Sequence, residues 1–578
     1  MINVSEAYKQ SCESNEKQSY IIAKYGAFDK TLKSKIQNIE GNKQNFSSMN
    51  KLYNEIKETN FNYISCEPNR VKLNETFYFI NDKTKPNENE NLALWTGELS
   101  NANGTFATNP KIRIYFTEKT SIVELTLYFQ EVCSDFKIYY YDNTTVVATR
   151  EITNNNSYIV TTTSASTISE ATINMLEIEF TKTKEPYRFV KLNEIDFGVY
   201  QTFTNKEIKD LNIIDELSID SSELSSNYLS LTVDDTSGKY NILNPNNKLS
   251  MLQEKQELTI YHFLKVGNSF KEVPLGTFLL KEFKTNKNTL TIEAYDDTYF
   301  MNEIYYGSHY YNNEGITKIL EDLFNYFNYA NYEIDEELKD VKLSGYIPNV
   351  EFREALRLIA EAGCCVISKT RYGKTYIYKT YDPTVKTFTR RLIFKEQPVR
   401  NLFNNVIDLV EYNYTKIESN IEVYNAHLEE GTYTILYTDF PIVENTLAKA
   451  STNAFYQITN IYATSCEITV LQATDVVLRA DVYRPTSIVA RKRKETLLKD
   501  EYAISKIDNK LITSSNSNDV ATWKLGRKDI KYNFNTLVLP YIEVGDTCNY
   551  DTGFNAVNTF IPTRIEFDKS MLQTIEGE

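Results

Sequence analysis

Short runs in which apolar and polar residues alternate fill residues 61–200 of this chain. Four of them, IRIYF, LTLYF, FKIYY and LEIEF, occupy residues 112–116, 125–129, 136–140 and 176–180. Alternation with a period of two gives a strand one buried and one exposed face, and turn pairs such as Asn103-Gly104 separate the runs. Short strands at this spacing favour a β-sandwich or jelly roll.

The strand pattern continues on both sides of two helices. Runs at 229–233, 258–261, 276–280 and 290–294 predict a second β-domain. Apolar residues at helical spacing predict helices over 316–327 and 352–360, with Gly363 where a C-terminal cap is expected. A hairpin over 365–378 follows, and the pattern is β from about residue 400 to the end. The predicted fold class is mainly β and multidomain, with a jelly-roll β-sandwich and a small α+β segment.

The charge balance restricts the classes of partner. The 578 residues carry a net charge of -15 at pH 7, which argues against a surface that neutralises nucleic-acid phosphates. The basic run at 491–494 lies among mixed charges and is interpreted as a solvated face. The N-terminus lacks signal-peptide features and no apolar run reaches membrane-spanning length. We therefore expect a soluble chain without a membrane anchor, released without a signal peptide.

The cysteines do not form a recognisable framework. Seven cysteines, an odd number, are scattered along the chain without a C-x-x-C motif. The adjacent Cys364 and Cys365 would point to opposite faces of a strand. We interpret both as small, partly buried residues.

The stretch DDTSGKYNILNPNN, at residues 234–247, places acids and amides around a glycine, as a cation-binding loop would. An EF-hand loop needs ligands at alternate positions and a bidentate Glu at position twelve. Here the middle is apolar, and position twelve counted from Asp234 is Pro245. The stretch is therefore predicted to form two turns at a corner between strands, one at 235–238 and one at 244–247, and no metal site is predicted.

Catalytic motifs are missing from the sequence. The three histidines, His262, His309 and His427, each lie alone in their segments, and no zinc-hydrolase, nucleophile-elbow, Walker A or dinucleotide-binding pattern occurs. Paired carboxylates could still hydrolyse a glycan, and the chain has 78 acids. Neighbouring acids such as Asp296 and Asp297 diverge in strand and helix alike. We predict no enzyme, no catalytic residue and no cofactor, and a glycosidase acting on cell wall remains an alternative.

An ordered series of short motifs runs through the chain from residue 17 to its end. It comprises KQSYIIAKYGAFDKTLKSKIQ at 17–37, the Asn-Pro corner at 244–245, strands at 252–261, 276–280 and 290–296, the helix and hairpin at 351–379, and the ending at 544–578. This series resembles baseplate hub or tail-tip proteins of phages and phage-tail-like bacteriocins of Gram-positive hosts. The resemblance implies hub-type β-barrel domains, a homotrimer, and contacts with tube, spike, wedge or distal tail subunits in a virion or tail-like particle.

Between the first motif and the others lies a module that resembles a different family. ALWTGELSNANGTFATNPKIRIYF, SDFKIYYYD and KEPYRFVKLNEIDFG are similar to discoidin-like or galactose-binding-like jelly rolls, which often bind glycans. The candidate glycan-binding residues, chosen by residue type, are Trp95, Asn101, Asn103, Asn109, Tyr187 and Arg188. For Trp95 a place in the core is favoured over a role as a stacking platform, because Trp is highly buried on average, and a purely architectural role for the module is also open.

Together these observations predict the following division of the chain. Residues 1–60 contain the first strands of a hub β-domain, 61–199 the inserted sandwich, 200–305 the rest of the hub β-domain, 306–383 the helix and hairpin segment, and 384–578 the C-terminal β-domains. The expected function is that of a baseplate hub or tail-tip subunit joining tail tube to baseplate, with DNA only in transient passage along acid-lined walls. The alternative is a peripheral adhesion protein that binds a host-wall glycan.

Overall fold

The computed structural model of the chain describes residues 2, 4–14, 17–28, 30–42, 52, 63–71, 94–120, 122, 124–163, 173–238, 240–241, 243–244, 254–379, 384–400, 406–437, 440–450, 455–494, 504–527, 530–570 and 572–578. Over these residues it is mainly β, with many sheets and few helices, and it divides into two compact units. The predicted fold class, mainly β and multidomain, is confirmed. None of the described helices has the length and apolar content needed to cross a membrane.

The helices of the described residues are short. They are α1 (Glu6–Cys12), α2 (Lys30–Ser34), α3 (Ile316–Tyr326), α4 (Phe352–Gly363) and α5 (Ser517–Leu525), with 3-10 turns at Asp297–Phe300 and Glu336–Asp340. Helices α3 and α4 confirm the two predicted from apolar spacing. Helix α5 lies where only strands were predicted, because its buried face includes the polar Ser517 and Lys524 beside Val520 and Ala521 and so shows no apolar stripe.

The strands are numbered β1 to β39 in chain order. The first ten are β1 (Ser19–Phe28), β2 (Ile36–Gly41), β3 (Leu94–Trp95), β4 (Lys111–Thr120), β5 (Glu124–Phe129), β6 (Cys133–Asp142), β7 (Thr145–Ile152), β8 (Ile159–Thr163), β9 (Ile173–Thr183) and β10 (Lys191–Thr204). The next twelve are β11 (Ile208–Glu216), β12 (Tyr228–Asp234), β13 (Glu257–Val266), β14 (Ser269–Thr285), β15 (Thr289–Tyr295), β16 (Ile304–Tyr305), β17 (Tyr311–Gly315), β18 (Tyr332–Ile334), β19 (Lys342–Gly345), β20 (Val350–Glu351), β21 (Val366–Lys369) and β22 (Thr375–Tyr378).

The remaining strands belong to the C-terminal part. They are β23 (Lys386–Phe388), β24 (Lys395–Glu396), β25 (Val399–Arg400), β26 (Val406–Asn413), β27 (Ile417–Leu428), β28 (Gly431–Leu436), β29 (Ala448–Lys449), β30 (Tyr456–Ile461), β31 (Ser465–Val470), β32 (Thr474–Tyr483), β33 (Thr486–Arg493), β34 (Ile504–Ile507), β35 (Ile530–Leu537), β36 (Cys548–Asp551), β37 (Val557–Phe560), β38 (Pro562–Asp568) and β39 (Leu572–Gly577). All eight runs singled out before residue 300 lie in strands: β4, β5, β6, β9, β12, β13, β14 and β15.

The second unit comprises Lys24–Thr202 and Lys239–Glu257. One of its sheets has the order β2-β4-β9-β6-β7, and in the other β10 pairs with β3 and β5, and β5 pairs with β8. Alternate residues of both sheets, such as Ile114, Phe136, Ile178 and Leu127, form one shared core, so this part is a β-sandwich. Strand β2, which precedes residue 61, pairs with β4 of this sandwich.

The first unit comprises Met1–Ala23, Phe203–Gly238 and Leu258–Glu578. Its largest sheet runs in the order β24-β35-β39-β38-β11-β12-β15-β14-β13-β1. The C-terminal strands β38 and β39 therefore lie beside β11, and the start of β1 lies beside β13, where Tyr20 stacks on Phe263 at 5.0 Å between ring centroids. Segments from both ends of the chain complete a sheet built mainly from residues 208–295.

Helices α3 and α4 share a core with short strands and with α5. Their apolar faces, including Ile319, Leu320, Leu356 and Ile359, pack with Val520 of α5. The predicted hairpin is confirmed as β21 and β22. Strand β18 adds to β22 in parallel, a pairing that the local pattern did not indicate.

The end of α4 differs from the sequence prediction. Gly363, predicted as the cap, is the last helical residue, and the left-handed cap is Cys364, with φ 52° and ψ 42°. A Cβ on Gly363 would lie 2.3 Å from Cδ1 of Ile316. This glycine therefore serves a close approach between α4 and the start of α3, and the cap falls on the next residue.

Three three-stranded sheets follow in the first unit: β33-β26-β34, β27-β32-β29 and β28-β31-β30. The last two share the core that contains Val423, Ile468 and Leu478. In β33, which pairs with β26 alone among the described strands, Ile488 and Val489 are each 65% exposed. The basic run 491–494 begins on this strand, and Arg491 forms two hydrogen bonds with Asp408.

Candidate functional site

Four of the six candidate glycan-binding residues lie together at one end of the β-sandwich. The backbone N–H of Tyr187 donates to the carbonyl of Asn101 at 3.4 Å, and the N–H of Arg188 donates to Oγ of Ser100 at 2.9 Å. Asn103 belongs to the same turn as Asn101. The structure thus joins loops around residues 100–105 and 184–190 into one surface, which we call the loop end.

The amide of Asn101 is used within its own loop. Its Oδ1 accepts from the backbone N–H groups of Asn103 at 2.9 Å and Thr105 at 3.2 Å. Its Nδ2 donates to Oγ1 of Thr105 at 2.8 Å. Asn101 therefore shapes the turn, while Asn103 is exposed and Tyr187 is 43% exposed in the left-handed backbone region at φ 54°.

Trp95 is 2% exposed and lies in the interior of the sandwich. Its Nε1 donates to Oε1 of Gln130 at 3.2 Å, and its ring is stacked with Phe189 at 6.3 Å between centroids. The Lys191 ammonium lies 4.3 Å from the centroid of the same ring. Both ring faces are covered, so of the two readings of Trp95 the geometry fits a core residue and gives no stacking platform.

A network of charged side chains, of which the sequence singled out only Arg188, lies behind the loop end. Lys191 Nζ contacts Glu67 at 2.6 Å and Glu131 at 2.7 Å, and Arg70 pairs with Glu131 at 2.6 Å. Arg188 pairs with Glu185 at 2.9 Å and lies 3.4 Å from Glu131. Glu67 and Lys191 are 124 residues apart, so no local pattern could have indicated the network.

The network balances three carboxylates against three cations. Glu67 is also tied to the backbone, because its Oε1 accepts from the N–H of Phe189 at 3.0 Å. The buried pair of Glu67 and Lys191 fixes the segments that carry it, and Arg188 is engaged by Glu131 and Glu185. Next to Glu67, Cys66 is the exposed member of the seven cysteines, and the other six are buried.

Asn109 lies apart from the loop end. Its Nδ2 donates to Oε1 of Glu179 at 2.8 Å, on the solvent-facing side of the sheet that contains β4 and β9. Lys111 lies on the same side of this sheet, with its Nζ 3.4 Å from Glu179. The six candidates therefore divide among a loop end, a buried ring and a sheet face.

The histidines do not form a catalytic arrangement in the described residues. His262 is buried beside the hydroxyl of Tyr8 at 3.3 Å, and burial lowers the pKa of His262 to about 3. The ring of His309 packs edge-on against Tyr462 at 5.9 Å between centroids. His427 contacts Asp475 at 2.7 Å on the surface. Each histidine has a structural neighbour, and none lies with a nucleophile.

The corner at residue 234 forms the first of its two predicted turns. The N–H of Gly238 donates to the carbonyl of Asp235 at 2.8 Å, and Gly238 has φ +68°. Part of the second turn, residues 245–247, lies outside the described residues. Among the residues that the structure describes, no group of three His, Cys, Asp or Glu side chains is placed to hold a metal ion.

A polar cavity of about 550 Å³ lies in the first unit between α4, α5 and β34. Two of its cations form ion pairs: Arg527 with Asp220 at 3.1 Å, and Lys524 with Glu361 at 2.7 Å. Arg357 lies 3.3 Å from the same Glu361. The ion pair between Lys524 and Glu361 joins α5 to α4 at the wall of this cavity.

No family model matches the sequence, and no curated protein matches it. Among solved structures, the chain is similar to a 43 kDa tail protein of prophage MuSo2 from Shewanella oneidensis, at 11% identity and a TM-score of 0.36, over 65% of this chain and 94% of that one. It is also similar to a tail protein from Neisseria meningitidis, at 9% identity and a TM-score of 0.37, over 66% and 93%.

A prophage tail protein, gp18, from Listeria monocytogenes is similar at 10% identity and a TM-score of 0.32, over 64% of this chain and 94% of that one. Identities and scores this low assign neither a family nor a function to the chain.

Proposed function

We propose that this chain is a structural subunit of a phage tail or phage-tail-like particle, at the baseplate hub or tail tip. The observation that carries the proposal is where the hub-like motifs fall in the fold. Strands β13, β14 and β15, the N-terminal strand β1 and the C-terminal strands β38 and β39 are separate in sequence, yet all belong to the largest sheet of the first unit. A resemblance made of short motifs gains weight when those motifs form one structure.

The proposed role is architectural. A homotrimer would form a ring that continues the tail tube, with other tail and baseplate subunits bound to its rims. The net charge of -15 suits walls past which DNA moves without adhering. Within the described residues nothing forms a catalytic constellation, and the proposal requires none.

The test is the oligomeric mass and shape of the purified full-length chain, by multi-angle light scattering and negative-stain imaging. We expect rings of three chains, or six, at micromolar concentration. A chain that stays monomeric at every concentration, alone and with purified tail-tube subunits, would contradict a hub position. Duplex DNA added at physiological salt should not shift the ring in a mobility assay.

A second function, glycan binding, is favoured for the second unit by its exposed polar and aromatic groups. At the loop end, Asn103 and Tyr187 point their side chains into solvent, and Asn109 contributes to a separate surface. The test is co-sedimentation of the full-length chain with insoluble wall polysaccharide. Retention of the chain supports a glycan-binding mount, and no retention on any wall fraction contradicts it. Release of reducing sugar would instead indicate a glycosidase, and its absence contradicts that alternative.

A further inference from the structure

The solvent-facing side of the sheet β2-β4-β9-β6-β7 carries tyrosines in register with one another. Cα partners across β4, β9 and β6 place Tyr115, Met175 and Tyr141 in one row, and Arg113, Glu177 and Tyr139 in the next. A third row contains Lys111, Glu179 and Lys137. We call this surface, formed by Lys111, Arg113, Tyr115, Lys137, Tyr139, Tyr141, Met175, Glu177 and Glu179, the tyrosine face.

The tyrosines form an open platform. The rings of Tyr139 and Tyr141 lie 6.5 Å apart between centroids. Neighbouring strands are about 4.8 Å apart, so Tyr115 and Tyr141, on either side of Met175, are separated by roughly 10 Å. All three rings are partly exposed, whereas the alternate residues of the same strands, such as Ile114 and Tyr140, are buried in the core.

The charges on the tyrosine face are paired within it. Arg113 contacts Glu177 at 2.5 Å, Lys111 contacts Glu177 at 2.9 Å, and Lys137 contacts the neighbouring Glu151 at 3.1 Å. Arg113 remains 41% exposed and Lys111 27% exposed while they make these contacts. The surface is therefore nearly neutral but dense in hydrogen-bonding groups.

Glu179 connects the polar groups to the rings. It accepts from Nδ2 of Asn109 at 2.8 Å and from the hydroxyl of Tyr139 at 3.2 Å. A carboxylate has about four acceptor sites, so Glu179 and its partners form a fixed set of acceptors and donors beside the platform. Strands β6 and β9 hold Tyr139 and Glu179, so the sheet sets the positions of these two groups, while Asn109 lies just before β4.

We propose that the tyrosine face binds an extended, neutral, hydroxyl-rich polysaccharide. Tyrosine offers a rigid ring with a polar tip at little cost in conformational entropy, which suits a ligand whose apolar faces alternate with hydroxyl groups. The fixed carboxylates, amide and guanidinium provide the hydrogen bonds that select such a ligand. Two rings along β6 and a third across the sheet suit a chain of sugar units more than a single sugar.

Charge decides against the other occupants. A nucleic acid or an anionic polymer requires unpaired cations, and here the cations are matched by Glu151, Glu177 and Glu179. A basic protein partner would require unpaired carboxylates on this face. The proposal rests on the glycan-binding function of the second unit and names the surface and ligand class for it.

The experiment uses the full-length chain on an array of neutral polysaccharides and oligosaccharides. The test variant is Tyr139→Ala with Tyr141→Ala, and the control is Asn103→Ala with Tyr187→Ala, which also removes an exposed tyrosine, at the loop end. We expect the wild-type chain to bind at least one neutral glycan, the test variant to bind it about tenfold more weakly, and the control to lose less.

Thermal unfolding of each variant checks that it is folded. If the double variant is not folded, the single variant Tyr141→Ser replaces it as the test, and we expect it to weaken binding about threefold. The proposal is overturned if the Tyr139/Tyr141 double variant and Tyr141→Ser both bind as the wild type does. It is also overturned if only the loop-end variant loses binding, and glycan binding would then be assigned to the loop end. A wild-type chain that binds no neutral glycan overturns the proposal, and its retention on wall polysaccharide then decides separately whether the glycan function of the second unit stands. The ring measurement on the same preparation reports on the structural role independently.

Discussion

Arg371 shows how one side chain joins distant parts of the first unit. It is 2% exposed, and its guanidinium donates to the carbonyl oxygens of Pro540 and Ile542. It lies 3.4 Å from Asp215 and 4.9 Å from the ring centroid of Phe567. The hairpin loop, β11 and the C-terminal strands are therefore tied to a single cation.

Replacing this arginine should destabilise the first unit strongly. Arg371→Met leaves the carboxylate of Asp215 and two carbonyls buried without their donor, and we expect a loss of about 3–5 kcal/mol in the free energy of unfolding. The control is Arg390→Met, which breaks a surface pair with Glu396 and should cost about 1 kcal/mol or less. Urea denaturation of both variants measures the difference, and equal losses would contradict the central role of Arg371.

Buried carboxyl groups make stability depend on pH. Burial raises the pKa of Asp546 from 3.8 to about 7, and burial likewise raises the pKa of Asp215 and of Asp296 to about 6. The folded state then binds protons more tightly than the unfolded state. The contribution of these groups to stability is full below about pH 4 and declines as the pH rises to about 7.

The substitution Asp546→Asn should remove part of the loss of stability that occurs as the pH rises from about 4 to about 7. The amide oxygen can still accept from the N–H of Glu543, which lies 2.8 Å from the carboxylate in the wild type, and no charge is buried at high pH. We expect the variant to gain about 1–3 kcal/mol relative to the wild type between pH 4 and pH 8. The lowered pKa of His262 makes stability rise with pH between about pH 3 and 6.5. This contribution is the same in the variant and the wild type, so it does not affect the difference between them.

The control for pH is Asp234, where the hydrogen bond with Lys209 lowers the pKa. Its contribution is present at neutral pH and is lost on acidification, so Asp234→Asn should change stability in the opposite direction. Guanidinium denaturation at a series of pH values measures the stability of the Asp546→Asn and Asp234→Asn variants against the wild type. Parallel curves for Asp546→Asn and the wild type would contradict the assignment.

At the scale of elements, the end of α4 offers a matched pair of substitutions. Cys364→Gly relieves a left-handed residue, and we expect a gain of up to about 1 kcal/mol. Gly363→Ala places a methyl group against buried Ile316 and should cost about 1–3 kcal/mol. Thermal unfolding shows whether the two shifts have opposite signs, and a stabilising Gly363→Ala would mean that Gly363 is not required for the approach.

Local sequence patterns predicted the elements whose own residues show a helical or a strand periodicity. Helices α3 and α4 have apolar stripes, and β4, β6 and β9 alternate, so their existence followed from the sequence. Helix α5 and the parallel strand β18 did not, because the buried face of α5 is half polar and the pairing of β18 depends on a strand about forty residues later.

The candidate sites divide in the same way. Residue type selected Asn103, Tyr187 and Trp95 alike as glycan-binding candidates, but it could not tell that the first two are exposed and that the sandwich buries Trp95. The tyrosine face was missed because Tyr115, Tyr141 and Met175 lie on three strands, and only the register brings them into one row. A search for tyrosines on the outward positions of several alternating strands would have raised it as a hypothesis.

At the scale of the whole molecule, the division into units can be tested with fragments. The core of the sandwich includes Leu32 and Ile39, and β2 pairs with β4. A fragment of residues 24–202 should therefore unfold cooperatively, whereas 61–199, the boundaries predicted from sequence, should be less stable by about 3–6 kcal/mol. Chemical denaturation compares them, and equal stability would place the boundary near residue 61.

The burial of the cysteines has a practical consequence for labelling the chain. Six are buried, and burial raises the pKa of thiols such as Cys364 to about 12, which keeps them unreactive. Cys66 is exposed beside the loop end. A maleimide fluorophore would therefore attach at one place on each chain without any engineered residue, and in the proposed ring energy transfer between the dyes would report how far apart the second units of neighbouring chains stand.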